Sequence, residues 1–242
     1  MTSSPTIAGV RALGFDVFGT VVDWRGSIAR EVNQLATRKG VTVDGNAFAL
    51  AWRAEYQPAM EPIRQGTRGF TKLDVLHHEN LLATLEKSGL KGKLDTAEID
   101  DLNRVWHRLD PWPDCILGLR RLHHKYPLVT ISNGNVSLMV HLARHSGLPW
   151  DTILGAEPTQ AYKPSPQAYL GTAEYLSLKP EELMLVAAHN ADLGAARKLG
   201  LRTAFVPRPT EYEENGTKDQ RAEEDWDVIA ESMEDLASKL GC

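Results

Sequence analysis

The chemistry of this chain starts at Asp16. The apolar run from Val10 to Phe15, interrupted by Arg11 and Gly14, reads as a short buried strand that ends in this carboxylate, with Gly19 and Thr20 close behind. A carboxylate at the C-terminal end of a buried strand sits where open α/β sheets do their chemistry, and it can act as a nucleophile. Two residues on, where a second carboxylate could serve as general acid, the chain has Phe18. A phenyl ring cannot protonate a leaving group, so the departing group should be one that is stable as an anion. Three further polar sites follow at strand ends: Ser132-Asn133, Lys163, and His189 to Asp192. With Asp16 they would converge on one edge of a sheet.

The elements that must position these residues are legible as alternating patterns. Leu128 to Ile131, Thr152 to Leu154, Leu183 to Ala188 and Thr203 to Val206 are short, apolar and followed by polar or turn residues, as expected of buried parallel strands. Between them, Ser137–Ser146, Ser165–Leu176 and Asp192–Leu199 carry apolar residues at helical spacing; Pro166 suits a first helical turn and Gly200 a helix stop. The βαβα order predicts an α/β fold with a Rossmann-like, doubly wound parallel sheet. From Trp24 to Asp110 the rhythm changes to long amphipathic stretches, Ile28–Lys39, Ala47–Met60, Leu73–Ser88 and Glu98–Leu109, without a strand signal. This predicts an inserted helical cap over the sheet edge, residues 23–110, with residues 1–22 and 111–242 forming the core. The segment Pro207–Asp227, rich in charge, Pro and Gly, reads as a surface loop.

Composition narrows the function classes. The net charge of −5 argues against a general nucleic-acid binder, whose surface must neutralise phosphates. No run approaches the ~20 apolar residues of a membrane span, and Met1 to Ile7 is short and polar, so no membrane association is expected and a cytoplasmic location is. The two cysteines, Cys115 and Cys242, imply no disulfide framework. His77-His78 and His123-His124 are poor chelates, because adjacent helical residues point about 100° apart. Trp24, Trp52, Trp106, Trp112 and Trp150 read as core or cap-interface residues.

Four motifs in order, Asp16-Val-Phe-Gly-Thr20, Ile131-Ser132-Asn133-Gly134, Tyr162-Lys163-Pro164 and Ala188-His-Asn-Ala-Asp192, resemble those of the haloacid dehalogenase superfamily, over about Val10 to Pro209. Within it the chain is similar to the type II (S)-2-haloacid dehalogenases, which carry an aromatic residue at the position of Phe18. The run Ala49-Leu50-Ala51-Trp52-Arg53 resembles the segment that carries their cap arginine, and Tyr169 their tyrosine shortly after the lysine. One departure is that Ala187, Ala188 and His189 stand where a Ser-Ser-Asn triplet is usual.

The resemblance implies hydrolysis of a short-chain 2-haloacid through an aspartyl ester on Asp16. Lys163 would keep Asp16 ionised, and Arg53 would offer a donor fork to a carboxylate or halide. Thr20 would position Asp16, Ser132 and Asn133 would hold the substrate carboxylate, and Asp192 would hold Lys163 or polarise water. His189 becomes the candidate water activator. Haloacid and water are the expected partners, with no cofactor or metal; a homodimer fits the family's habit. Two alternatives stand beside this: a magnesium-dependent phosphatase of the same superfamily, and a non-catalytic small-anion binder.

Overall fold

The computed structural model describes residues 7–212 and 218–242. The polar stretch Met1–Thr6 and part of the Pro207–Asp227 segment therefore lie outside the described residues. The main sheet is built from β1 (Ala12–Phe15), β4 (Leu128–Ser132), β5 (Thr152–Gly155), β6 (Leu183–Ala187), β7 (Arg202–Phe205) and β8 (Val228–Ile229). All neighbours pair in parallel, in the order β5-β4-β1-β6-β7-β8. A parallel sheet covered on both faces needs apolar side chains on both. Alternate residues of β6 meet this demand: Met184 and Val186 join one apolar cluster, Leu183, Leu185 and Ala187 the other. Strand order reverses at β1, which has β4 on one side and β6 on the other. The end of β1 is thus the topological switch point, and Asp16 follows it directly.

Between β2 (Val22–Asp23) and β3 (Asp110–Pro111), which pair antiparallel, the chain is helical among the described residues. This cap comprises α1 (Trp24–Lys39), α2 (Gly45–Ala54), α3 (Tyr56–Arg64), α4 (Leu73–Glu86) and α5 (Thr96–Asn103), with a 3₁₀ turn at Arg104–His107. Asp23 caps α1 through the amide of Gly26, and Asp95 forms a capping box with Glu98 at α5. The stretch expected as one helix over Ala47–Met60 breaks at Glu55, because Pro58 would clash with the carbonyl of Ala54 in a continuous helix. The two-residue strands β2 and β3 have no alternation to read, so the stem of the cap was invisible in the sequence.

The core helices are α6 (Cys115–His123), α7 (Val136–Ser146), α8 (Ala156–Thr159), α9 (Pro166–Tyr175), α10 (Asn190–Lys198) and α11 (Met233–Lys239). Pro166 opens α9, as expected. His189 is the N-cap of α10 and Asp192 lies in its first turn, where the helix dipole favours a carboxylate. Cap and core are tied at several points. The Tyr162 hydroxyl donates to the Thr71 carbonyl at 2.6 Å, Arg64 donates to the Lys163 carbonyl at 3.2 Å, and Asn135 on the core donates to Asp74 on α4 at 2.9 Å.

Candidate active site

At the end of β1 the chain turns sharply. Gly19 adopts φ +88°, a left-handed conformation that a side chain rarely takes, and a Cβ there would stand 2.1 Å from Oε1 of Glu211. The turn brings Thr20 back under Asp16. The Thr20 hydroxyl donates to Asp16 Oδ2 at 2.7 Å while accepting from the amide of Ala188 at 2.9 Å. Lys163 Nζ donates to Asp16 Oδ1 at 2.8 Å and to Asp192 Oδ2 at 2.5 Å, and the Tyr169 hydroxyl donates to Asp192 Oδ1 at 2.6 Å. The Lys163 amide is anchored to Asn133 Oδ1 at 2.9 Å.

His189 completes the cluster. Its Nδ1 lies 3.0 Å from Asp16 Oδ2 and its Nε2 lies 2.8 Å from Glu211 Oε2. Glu211 is 2% exposed, and its other oxygen accepts from the indole of Trp24 at 2.9 Å. Glu211 belongs to the segment expected as a surface loop. That expectation is corrected here, because Arg208 staples the segment inward. Its guanidinium donates to the Thr20 carbonyl at 2.9 Å and pairs with Asp114 at 2.8 Å, and the Glu211 amide turns back to the Arg208 carbonyl. Trp226 in the same segment is also buried.

The electrostatics are those of a compensated buried cluster. Burial by itself would raise the Asp16 carboxyl, but the opposing charges of Lys163 and His189 outweigh it and hold Asp16 far below the ordinary carboxylate range. Burial would lower Lys163, yet Asp16 and Asp192 raise it. Burial would likewise lower His189, but Glu211 and Asp16 raise it well above an ordinary imidazole, so the resting ring is an imidazolium bridging two carboxylates. Burial pushes the Tyr169 phenol up, and Asp192 adds to the effect, so it is a hydrogen donor.

These groups open onto a cavity of about 310 Å³ between core and cap. All the predicted site residues except Thr20 and Ser132 reach its wall. Thr20 stands beneath Asp16. Ser132 is fully buried and its hydroxyl accepts from the amide of Gly134 at 3.1 Å, so it shapes the turn after β4. Arg53 stacks on Tyr56, with its guanidinium carbon 3.9 Å from the ring centroid. Phe18 packs edge-on to Trp106 at 5.4 Å. Tyr56 and Tyr212 are wall residues that the sequence did not single out. Glu211 was missed as well: it is one acid among many in a charge-rich stretch, without a spacing to mark it.

Magnesium fits this donor set poorly. Asp16 and Asp192 are the carboxylates it would need, and each of their four oxygens already accepts from Lys163, His189, Thr20 or Tyr169. Among the described residues, no group of three or more His, Cys, Asp or Glu is placed to hold a metal ion.

The family model of the haloacid dehalogenase-like hydrolases matches residues 10–200. The chain belongs to this family. Among solved structures, a defluorinating L-2-haloacid dehalogenase is 47% identical with a TM-score of 0.95, covering 100% of this chain and 99% of that one. Among characterised relatives, the (S)-2-haloacid dehalogenase of Xanthobacter autotrophicus is 26% identical, over 82% of this chain and 76% of the relative. A phosphoglycolate phosphatase of Photorhabdus laumondii is 25% identical over 99% of this chain and 96% of its own length. As a haloacid dehalogenase-like hydrolase the protein has the family's parallel sheet and cap, with a further buried carboxylate, Glu211, beyond the matched region.

Proposed function

We propose that this hydrolase removes halide from short-chain 2-haloacids and delivers 2-hydroxyacids through an ester on Asp16. The observation that carries the reading is the flank of the nucleophile. Asp16 is held ionised, and its neighbour on the cavity wall is the phenyl ring of Phe18, which offers no proton. Such a site suits a leaving group that departs as an anion. The dehalogenase names of the relatives support the same class.

In the first step an Asp16 oxygen attacks the substrate Cα, the carbon–halogen bond breaks, and its electron pair leaves with the halide. Thr20 and Lys163 fix the carboxylate for this attack. Asn133 faces the substrate carboxylate, and Arg53 receives the anion that departs.

Ester formation removes the negative charge of Asp16, one of the two that hold the proton on His189. The imidazolium then releases its Nδ1 proton to solvent, while Glu211 retains the hydrogen bond at Nε2. Nδ1, already beside the ester, accepts a proton from water as the hydroxyl adds to the ester carbonyl. The tetrahedral intermediate collapses with cleavage of its bond to the alkoxide, which takes the proton of the nascent Asp16 carboxyl. The products are the hydroxyacid, ionised Asp16 and a protonated His189, the resting state.

Incubation with (S)-2-chloropropionate without added metal should release one halide per hydroxyacid, and Asp16→Asn should release none. A single turnover in ¹⁸O-water with excess enzyme should place the label on Asp16 rather than in the product. No halide from any of several short haloacids, or phosphate-ester turnover that a chelator abolishes, would replace this reading.

A further inference from the structure

Asn190 follows His189 at the start of α10, but its side chain is 5% exposed and does not reach the cavity wall. Its amide is fully committed elsewhere. Nδ2 donates to Asp219 Oδ1 and to the Arg221 carbonyl, each at 3.0 Å, while Oδ1 accepts from the Glu223 amide and the Trp226 indole, also at 3.0 Å. Two donors and two lone pairs are all that a primary amide has. The backbone N–H of Asn190 adds a fifth bond, to Asp219 Oδ1 at 2.9 Å. With nothing left for substrate or water, Asn190 can act only through what it holds, residues 219–226. A buried network satisfied this fully makes its members rigid.

What it holds borders the site. Asp219 and its neighbour Lys218 line the cavity, and so does Tyr212 on the other described limb of the same segment. That limb is fixed independently, by the Arg208 guanidinium and by the Tyr212 ring, which meets Trp24 edge-on at 5.6 Å. The two limbs touch where Lys218 Nζ stands 4.5 Å from the Tyr212 ring centroid and donates to its hydroxyl at 3.3 Å. Helix α10 itself adds little bulk here: its cavity residues are Ala191, with one methyl, and Asp192, which is turned to Lys163 and Tyr169. The segment lies beyond residue 200, outside the stretch matched by the family model.

We infer that Tyr212, Lys218 and Asp219, held in place by Asn190, set which C2 substituents the cavity accepts. The inference rests on the dehalogenase reading for the identity of the substrate. Cα must stand beside Asp16 to be attacked, so a substituent on it extends into the rest of the cavity. The wall takes a methyl beside Ala191 and turns away a longer alkyl chain. Such a chain is admitted only by displacing a segment held by the five hydrogen bonds of Asn190 and by the Arg208–Asp114 ion pair. Asn190 is thus a positioning residue for specificity, acting through Asp219, and it takes no part in water activation.

The test compares a short acid with a long one. kcat/KM is measured for (S)-2-chloropropionate and (S)-2-chlorohexanoate. (R)-Lactate and (R)-2-hydroxyhexanoate, the products expected after in-line attack, are titrated calorimetrically, with thermal unfolding as the check on folding. Asp219→Gly removes the acceptor at a φ of +53° that glycine takes freely, whereas Asp219→Asn keeps an acceptor and tolerates that φ. Asn190→Ala and Asp219→Gly should raise the long-to-short ratio about fivefold or more, and Asp219→Asn should stay within about twofold of wild type. Tyr212→Ala cuts the wall without touching the Asn190 network; it should raise the ratio too, and it covers the case of an Asn190→Ala that does not fold. Folded Asp219→Gly and Tyr212→Ala with wild-type ratios overturn the inference, as does a fall for both acids by the same factor, the mark of a merely structural role. If wild type turns over no haloacid, the dehalogenase reading falls by itself, and the ratio of the two hydroxyacid affinities still decides on the wall; binding of neither hydroxyacid overturns the inference as well.

Discussion

Replacing Glu211 by Gln tests the division of labour at His189. The substitution keeps size and a hydrogen-bond acceptor but removes the charge 2.8 Å from Nε2. With charge centres about 4 Å apart and an effective dielectric of about 20, the attraction is about 4 kcal/mol, or about three pKa units. The retained hydrogen bond returns part of this, so the His189 pKa should fall by about two units. If about half of that change is expressed as lost basicity in the transition state, ester hydrolysis slows about tenfold where the ring is neutral in both proteins. Ester formation, which depends on Asp16 and Lys163, should change little. Rapid-quench measurement of halide should then show a burst of one equivalent followed by slow turnover, and intact mass should show the adduct. The acid limb of the hydrolysis rate should move to lower pH by about two units, because a weaker base stays neutral further down. Stability follows the same linkage. The raised His189 stabilises the fold fully below its unfolded value near 6.5, and this contribution is lost as pH rises through the folded value. The lowered Glu211 contributes above 4.5 and loses its contribution as pH falls. The difference in Tm between wild type and variant should therefore be widest between those values and narrow toward high pH. An unmoved acid limb, or a first step slowed as much as the second, would refute the assignment of His189 and Glu211 to water activation.

Gly19→Ala should act on the same pair from the other side, since its Cβ would collide with Glu211 in a backbone conformation that already disfavours a side chain. A loss of about 2–4 kcal/mol, about 5–10 °C in Tm by calorimetry, should accompany a burst like that of Glu211→Gln. Lys163→Met removes the main opposing charge from Asp16, so the carboxyl pKa rises; single-turnover halide release should fall by about 10²-fold or more, with its acid limb moved to higher pH. Phe18→Asp should not create a phosphatase, because it buries an unpaired carboxylate against Trp106. The expected outcome is a loss of about 3–5 kcal/mol in denaturant unfolding and no chelator-sensitive phosphate release.

The parts of the site legible in the sequence were those carried on periodic elements. Asp16, Asn133, His189 and Asp192 each follow a buried apolar strand, and a strand's end is visible because hydrophobicity stops there. Arg53 was found through motif resemblance; Lys163 was expected at a strand end but follows the short helix α8, and the cavity wall includes both. Ser132 belonged to the same motif, but its hydroxyl is turned to the backbone, a choice of rotamer that no residue pattern encodes. Glu211 was hidden for a different reason. A charge-rich segment reads as solvated until something pulls it inward, and the pull comes from Arg208 on Asp114, a contact across 94 residues. His77 and His78 diverge on α4, where the first ring is buried and the second lies 3.7 Å from Asp100.

The placement of Asp16 on the central strand has a consequence for how the protein is made. Asp16 emerges from the ribosome early, but its partners follow much later: Lys163 lies 147 residues downstream and His189 lies 173. Strand β1 has no neighbour to pair with until β4 and β6 have been synthesised. Contacts this distant along the chain slow folding, and they delay closure of the sheet until most of the polypeptide exists. On the proposed mechanism, a chain ending before His189 would carry the carboxylate without the base that frees it from its ester. Closure of the sheet and completion of the cluster around Asp16 therefore come together, late in synthesis.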